Sequence, residues 1–302
     1  MATADRTAQD AGATRRFPLP ARSTAATSYR GRFAPTPSGP LHLGSLVMAA
    51  ASWLDARRHD GVWLVRIDDI DPPREVAGAA DVILRQLTLF GLHWDDQVIY
   101  QSQRHPGYEA AVQMLLQDKR AFYCRLSRRE LEACGQIHPG PAAASLAAAG
   151  AAVRLAVPDQ PICFDDRALG SQSFRLDQQE GAFVIRRRDD LYAYQLACAL
   201  DDADLAITDV VRGMDLLDST PRQIHVLDSL SRPAPRYAHL PVVVDGQGNK
   251  LSKSAGSAAV DRLHPGATLS LALSHLGLDI AADEPSRMLD EALQRLRNTI
   301  DS

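Results

Sequence analysis

The most informative part of the chain reads Arg32-Phe33-Ala34-Pro35-Thr36-Pro37-Ser38-Gly39-Pro40-Leu41-His42-Leu43-Gly44-Ser45. Its prolines exclude a helix or a central strand, so most of this stretch is a loop. The run before the loop, 31–34, is strand-like, and the run after it, 44–58, carries apolar residues at helical spacing. A second strand follows at 62–67, after Gly61. Strand, loop, helix and strand together predict a βαβ unit with parallel strands.

The rest of the chain extends this α/β pattern. The fold class predicted is a Rossmann-like α/β catalytic domain with a parallel sheet, an inserted subdomain and a short helical C-terminal remnant. The predicted limits are a disordered extension at 1–28, the first half of the domain at 29–102, the insert at 103–181, the second half at 182–258 and a helical segment at 259–302. Within the second half we expect strands at 182–186, 205–211 and 240–244 and helices at 192–200 and 221–230. Thr220 is the predicted N-cap of the helix at 221–230. Two further helices are predicted after the second half, at 268–276 and 286–297.

Composition excludes several function classes. The chain has 302 residues, 45% hydrophobic, with a formal charge of -4, so any nucleic acid would have to meet a local basic patch. No apolar run reaches the eighteen or so residues of a membrane helix, so we predict that the protein neither spans a membrane nor has one as a partner. The four cysteines form no CxxC pair, and 1–28 lacks an apolar signal region, so we expect a cytoplasmic protein. An organelle transit peptide is the alternative for that arginine-bearing extension.

Two segments carry residues suited to binding a polyphosphate. His42 precedes the predicted helix whose first residues include Gly44 and Ser45, and a helix N-terminus offers free N–H groups to an anion. The second segment is Asn249-Lys250-Leu251-Ser252-Lys253-Ser254, in a loop after the strand predicted at 240–244. Two lysines beside small hydroxyl residues favour a cationic clamp. Taken alone, either segment is more typical of an ordinary surface loop than of a binding site.

Together these segments resemble the HIGH and KMSKS signatures of class I aminoacyl-tRNA synthetases, with Ser45 in place of the second histidine. Their flanks are similar to the glutamyl/glutaminyl subclass, as are two further stretches, Arg66-Ile67-Asp68-Asp69-Ile70-Asp71-Pro72 and Val210-Val211-Arg212-Gly213-Met214-Asp215-Leu216. The likeness runs from about Gly31 to Ser254. It implies an ATP-dependent ligase that forms an aminoacyl-adenylate.

The resemblance also implies roles for individual residues. His42 and Lys253 match the catalytic positions. The ATP positions would be His42, Gly44, Ser45, Lys250, Ser252 and Lys253, with Mg²⁺ accompanying ATP. The glutamate positions would be Arg32, Phe33, Ala34, Pro35, Thr36, Asp68, Tyr194 and Arg212. Two cations and one anion complement the two carboxylates and one ammonium of L-glutamate, although the pattern does not say which arginine binds which carboxylate. Tyr194 is otherwise a half-buried aromatic residue on a helix.

The number of residues that follow the KMSKS-like segment indicates which members of the subclass the chain resembles. Fewer than fifty residues follow Ser254, whereas glutamyl-tRNA synthetases carry a large anticodon-binding region there. The chain therefore resembles the truncated glutamyl-Q tRNA(Asp) synthetases. That family activates L-glutamate without tRNA and places it on the queuosine base in the anticodon of tRNA(Asp). Alternatives are a short synthetase that charges a tRNA 3' end and an inactive tRNA-binding paralogue. We expect a monomer, with Arg128-Arg129 and Arg186-Arg187-Arg188 as candidate phosphate contacts.

The zinc site that this family often carries is expected to be lost. Cys124 stands at the first ligand position, but Leu126 and Ala142 replace the second and last cysteines. A makeshift set of Cys124, Cys134 and His138 would supply three ligands, one fewer than structural zinc normally takes. The sequence therefore predicts no bound metal.

Overall fold

The computed structural model describes residues 18–20, 28–133, 135–145, 148–243, 260 and 263–298. Strands alternate with helices along these residues, as a βαβ architecture requires. The strands are β1 (Arg30–Phe33), β2 (Val62–Ile67), β3 (Ile99–Tyr100), β4 (Ala121–Cys124), β5 (Ala152–Leu155), β6 (Ile162–Asp166), β7 (Gly170–Phe174), β8 (Phe183–Arg186), β9 (Asp209–Gly213) and β10 (Arg236–Leu240). The helices are α1 (Leu43–Arg58), α2 (Ala79–Leu89), α3 (His105–Gln117), α4 (Arg128–Ala133), α5 (Leu176–Gln179), α6 (Tyr194–Asp204), α7 (Thr220–Ser229), α8 (Pro265–His275) and α9 (Pro285–Asn298).

The central layer consists of two sheets whose strands are mostly parallel. One has the order β1-β2-β3, and the other has the order β7-β6-β10-β9, in which only β7 runs antiparallel to its neighbour. Thr208 joins them, because its N–H donates to the Arg30 carbonyl at 2.9 Å and its Oγ1 accepts from the Arg30 N–H at 2.8 Å. β1 and β9 therefore lie side by side, and their carboxyl ends open in the same region.

Helix α1 is buried on nearly every side. Its residues Leu46, Val47 and Leu54 are fully buried between the first sheet and the C-terminal helices α8 and α9. A helix covered on both faces needs no polar stripe, which explains its many alanines. The predicted βαβ unit is confirmed, with β1 and β2 paired in parallel from Arg30↔Val62 to Phe33↔Val65.

The region between the two halves forms a smaller antiparallel sheet and a hairpin. The sheet has the order β4-β5-β8, and the β6–β7 hairpin joins the second sheet where Tyr237 pairs with Asp166. β8 begins beyond residue 181 and still pairs with β5, so strand pairing crosses the predicted limit of the insert.

Several predicted boundaries were wrong. The strand placed at 240–244 is β10, which ends at Leu240, and the strand placed at 205–211 is β9. The two pair in register from Arg236↔Asp209 to Leu240↔Gly213, so their shared ladder sets both limits. Thr220 is not an N-cap; it lies inside α7, where its Oγ1 accepts from Arg212 instead. No helix among the described residues is both long enough and apolar enough to cross a bilayer.

Candidate active site

A cavity of about 680 Å³ opens at the carboxyl ends of β1 and β9, beside the N-terminus of α1. In open α/β sheets this is the edge at which ligands usually bind. We call it the main cavity. Most of the predicted site residues line it: Arg32, Phe33, Ala34, Pro35, Thr36, His42, Gly44, Ser45, Tyr194 and Arg212.

His42 is the N-cap of α1. The Ser45 N–H donates to its Nδ1 at 3.3 Å, and the Ser45 hydroxyl lies 2.9 Å from its Nε2. Because Nδ1 accepts, a neutral His42 carries its proton on Nε2, on the edge that can donate. The Nε2 proton is then donated to the Ser45 hydroxyl, whose own proton can be donated in turn. The Ser45 hydroxyl and the helix N-terminus therefore lie at the main cavity as donors suited to a phosphate group, and His42 orients that hydroxyl.

Arg32 lies beneath the main cavity and is only 4% exposed. Its Nε and Nη2 donate to the two carboxylate oxygens of Asp202 at 3.1 and 3.2 Å. Burial favours the neutral guanidine and is the largest single influence, but the negative groups around Arg32, Asp202 foremost, together outweigh burial and raise the pKa of Arg32. Arg66 donates to the same Asp202 at 2.6 Å. The positive charge of Arg32 is therefore already balanced inside the protein.

Arg212 has the same exposure but different partners. Its Nε donates to His239 Nε2 at 3.0 Å, Nη1 to the Gln223 amide oxygen at 2.8 Å and Nη2 to the Thr220 hydroxyl at 2.7 Å. These acceptors are neutral, and no carboxylate of the described residues forms an ion pair with Arg212. Its guanidinium also lies over the Tyr237 ring. A buried cation without a counter-ion is suited to an anionic ligand.

His239 holds one face of Arg212 as a neutral imidazole. Its Nδ1 donates to Asp166 Oδ2 at 2.6 Å, which leaves Nε2 free of a proton and able to accept from Arg212. Burial lowers the pKa of His239 and so favours this neutral form.

Asp68 lies in a second cavity of about 480 Å³, which shares Thr36, Arg74 and Tyr194 with the main cavity. Arg66 donates to Asp68 at 2.7 Å. Burial nevertheless raises the pKa of Asp68 to about 6, even though Arg66 acts in the opposite direction. A buried carboxylate that is costly to ionise gains strongly from a ligand ammonium.

Tyr194 begins helix α6 at the boundary of the two cavities. Its position four residues before Cys198 and eight before Asp202 places the three on one face of the helix. Burial raises the pKa values of both Tyr194 and Cys198, so both stay protonated. The thiol of Cys198 lies 3.4 Å from Arg66 Nη2, between the two arginines and Asp202.

The structure thus gathers the predicted residues that it describes around two adjoining cavities. Lys250, Ser252 and Lys253 lie outside the described residues. Sequence reasoning missed Asp202, Arg66 as its partner, and the set of acceptors around Arg212. The spacing of Tyr194, Cys198 and Asp202 along one helical face was the available signal for Asp202. No comparable pattern links Arg212 to His239, which lies on another strand.

Two of the three residues at the predicted remnant of a zinc site, Cys124 and His138, are in contact with each other. Cys124 Sγ lies 3.2 Å from His138 Nε2, while Cys134 lies outside the described residues. The rest of the described chain adds no third histidine, cysteine or carboxylate to form a metal-binding group. Burial lowers the pKa of His138 to about 4, so Cys124 meets a neutral imidazole.

The candidate phosphate contacts differ from one another. Arg186 donates to Glu109 at 3.0 Å and is committed to that pair. Arg187 lines the second cavity, and Arg188 donates to the Leu126 carbonyl at 2.9 Å. Of this run only Arg187 lies beside the candidate site.

Comparison with known proteins agrees with this geometry. The family model for the catalytic domain of class I tRNA synthetases (E and Q) matches residues 28–267. A Pseudomonas putida KT2440 protein named glutamyl-Q tRNA(Asp) synthetase is 50% identical over 86% of this chain and 87% of its own length. A Pseudomonas aeruginosa PAO1 protein of the same name is 49% identical over 88% and 92%.

A solved structure has a similar fold. The glutamate tRNA ligase from Elizabethkingia meningosepticum, in complex with its amino acid, superposes with a TM-score of 0.74 at 23% identity. The match covers 87% of this chain and 64% of the ligase. The predictions of fold class and of a ligase of the class I aminoacyl-tRNA synthetase type are confirmed. Because the family model matches most of the chain and these relatives are about 50% identical to it, the chain belongs to the catalytic-domain family of the class I tRNA synthetases for glutamate and glutamine.

Proposed function

We propose that this protein activates L-glutamate with ATP in the absence of tRNA and transfers it to the queuosine base in the anticodon of tRNA(Asp). Relatives that are about 50% identical over most of both chains carry the name glutamyl-Q tRNA(Asp) synthetase. The observation that carries the choice of amino acid is the buried Arg212, which has only neutral partners at the main cavity.

Charge balance supports an amino acid with two carboxylates. Arg32, Arg66 and Arg212 contribute three positive charges, and Asp68 and Asp202 contribute two negative ones. Asp201 is also buried near Arg66, but Arg104 pairs with it and balances its charge. L-Glutamate brings one ammonium and two carboxylates, a net charge of -1, which neutralises the site. We place its ammonium at Asp68 and a carboxylate at Arg212, with the Tyr194 hydroxyl as a further donor. A ligand with a neutral side chain would leave one buried charge unbalanced.

Activation then proceeds at the N-terminus of α1. An oxygen of the glutamate α-carboxylate attacks the α-phosphorus of ATP, and the bond to the bridging oxygen breaks, so pyrophosphate leaves with that electron pair. His42 and the first N–H groups of α1 stabilise the phosphate charge. Lys253, with Lys250 and Ser252, would hold the β- and γ-phosphates as they depart. ATP brings Mg²⁺ with it. We propose that the protein acts in the cytoplasm, where ATP and tRNA are available, and that it acts as a monomer.

The first experiment measures the two steps separately. Glutamate-dependent ATP–pyrophosphate exchange without tRNA should proceed, and it should not with aspartate or glutamine. Labelled glutamate should then transfer to tRNA(Asp) that carries queuosine, but not to the same tRNA with guanosine at that position.

Nuclease digestion of the labelled product decides between acceptors. Label on the anticodon nucleoside supports the proposal. Label on the terminal adenosine would instead identify a short synthetase that charges the 3' end. Absence of exchange would identify an inactive paralogue.

A further inference from the structure

We propose that the buried side chain of Gln101 is a second acceptor for the ammonium group of the substrate, beside Asp68. The inference rests on the proposed function, because it takes an α-amino acid as the substrate of the site. It assigns to the second cavity the recognition of a primary ammonium, the group that distinguishes an amino acid from a dicarboxylic acid without nitrogen. Gln101 is then a specificity-determining residue of the activation step.

Strand pairing places Gln101 next to Asp68. β2 and β3 pair in parallel, and their last paired residues are Ile67 and Tyr100. Asp68 and Gln101 follow these two residues directly, at the carboxyl ends of neighbouring strands. Side chains alternate between the two faces along a strand, so residues at the same step beyond a parallel pair lie on the same face. Both line the second cavity, as this register requires.

Hydrogen bonds fix the orientation of the Gln101 amide. Its Nε2 donates to Asp201 Oδ2 at 2.8 Å, and since a carboxylate only accepts, the nitrogen end of the amide must face Asp201. Asp201 is itself held from helix α3, because the Tyr108 hydroxyl donates to the same oxygen at 2.7 Å. Arg104 donates to the other oxygen of Asp201. The carbonyl end of the Gln101 amide therefore points away from this anchored carboxylate.

That carbonyl oxygen is an acceptor without a partner. The Gln101 side chain is completely buried, and its Oε1 has no hydrogen-bond partner among the described residues. Buried polar atoms in folded proteins are nearly always paired, because an unpaired one loses its hydration without compensation. Since Gln101 lines the second cavity, a ligand in that cavity can supply the missing donor.

An ammonium group is the donor that fits both residues. Asp68 accepts from Arg66 Nε at 2.7 Å and Nη2 at 3.4 Å, so part of its accepting capacity is already used inside the protein. An ammonium has three N–H donors and needs further acceptors. Gln101 Oε1 supplies one without adding charge, which preserves the charge balance of the site. Glutarate, which has the two carboxylates and no ammonium, leaves Gln101 unpaired and brings excess negative charge.

The test compares Gln101→Met with Gln103→Met. Methionine keeps the length of the glutamine side chain and removes its carbonyl oxygen. Gln103 lies in the same short helical turn, Gln101–Gln103, but is exposed and lines neither cavity, so it controls for the substitution itself. Calorimetric titration measures the Kd for L-glutamate, and displacement by glutarate gives the Kd for the ligand without an ammonium. Thermal unfolding verifies that each variant is folded.

The expected result is a loss confined to the ligand that carries an ammonium. In Gln101→Met the Kd for L-glutamate should rise about tenfold, the effect of one hydrogen bond to a charged group, while the Kd for glutarate should change by less than about twofold. The kcat of pyrophosphate exchange should stay within about twofold of the wild-type value, because the lost contact stabilises ground state and transition state alike. Binding should keep its pH dependence, which arises from Asp68. Gln103→Met should change neither Kd.

Several results would overturn the inference. An unchanged Kd for L-glutamate in Gln101→Met would mean that solvent, and not the substrate, pairs with the amide oxygen. Equal weakening of both ligands would mean that the side chain only supports the shape of the cavity. A wild-type protein that binds glutarate as tightly as L-glutamate would mean that the ammonium lies outside the second cavity.

The proposed function is judged by other readouts. Pyrophosphate exchange and the position of the label on tRNA decide it, and neither depends on the ratio of the two dissociation constants. Label on the terminal adenosine would contradict queuosine as the acceptor and leave the role of Gln101 standing. Transfer to queuosine by a Gln101→Met enzyme with an unchanged Kd for L-glutamate would support the proposed function and reject the second acceptor.

Discussion

Arg32 and Arg212 lie on the adjoining strands β1 and β9, are equally buried, and line the same main cavity. They differ in what surrounds them. Arg32 is held by both oxygens of Asp202, while Arg212 is held by an imidazole, an amide and a hydroxyl. The first charge is neutralised by the fold, and the second is not. Sequence resemblance gave both arginines the same role, but their surroundings suggest that Arg32 mainly supports the site and Arg212 mainly binds substrate.

The largest effect should come from removing the counter-ion of the supporting arginine. Asp202→Asn leaves Arg32 and Arg66 buried without their shared carboxylate, so the free energy of unfolding should fall by about 3–5 kcal/mol. Urea denaturation measures this change. Asp204→Asn, on the same helix but partly exposed and paired with Arg104, is the matched control and should cost about 1 kcal/mol or less. Equal losses in the two variants would contradict the distinction.

Arg212→Ala should show the opposite pattern. Its neutral partners do not become unpaired charges, so we expect a modest change in stability. The kcat/KM of glutamate-dependent pyrophosphate exchange should fall about 10²–10³-fold, since a buried charged contact to the substrate is lost. A fall of less than tenfold, or a loss of stability as large as that of Asp202→Asn, would show that Arg212 also serves the fold.

Asp68 predicts a pH dependence for glutamate binding. Burial raises its pKa to about 6 in the free protein, so the carboxylate is protonated below that pH and cannot pair with an ammonium. The Kd for glutamate should therefore rise about fivefold between pH 6 and pH 5 and level off above pH 7. Because the folded pKa is raised, ionisation of Asp68 also lowers stability as the pH rises through 6.

Calorimetric titration at pH 5, 6 and 7 measures this dependence. Ammonium binding lowers the pKa of Asp68, so the wild type should release protons on binding near pH 6, as seen in buffers of different ionisation enthalpy. Asp68→Asn should bind weakly and lose the pH dependence. A flat profile in the wild type would mean that the ammonium lies elsewhere.

The smallest effect is expected far from both arginines, at Cys124. Its thiol contacts a neutral His138 at 3.2 Å, and Cys124→Ser should change stability by about 1 kcal/mol or less and leave exchange intact. Protein purified without added metal should contain far less than one zinc per chain, measured by atomic emission. Stoichiometric zinc, lost in the serine variant, would contradict this prediction.

Local patterns predicted the elements of the fold well and their ends less well. The loop from Pro35 to Pro40 and the helix after it followed from proline chemistry and spacing. The apolar run after Leu240 is typical of a strand, yet the ladder with β9 ends at Leu240. Strand limits depend on a partner elsewhere in the chain, and no local window contains it.

The sequence predicted which residues form the candidate site, but it did not predict which hydrogen bonds join them. Signature motifs indicated Arg32, His42 and Arg212, because a phosphate and a dicarboxylic ligand require those side chains. The partner of Arg32 is 170 positions away at Asp202, and that separation carries no pattern in one sequence. Thr220 illustrates the same limit, since its sequence context favours a cap while its hydroxyl instead accepts from Arg212.

Asp166 makes the interrupting segment inseparable from the domain that it interrupts. This carboxylate at the end of the β6 strand orients His239, which in turn supports Arg212. Exchange or deletion of residues 103–181 as a unit would remove Asp166, and the guanidinium of Arg212 would then lose the orientation that Asp166 gives it through His239. Chimeras between relatives should therefore keep Asp166 and His239 from the same parent.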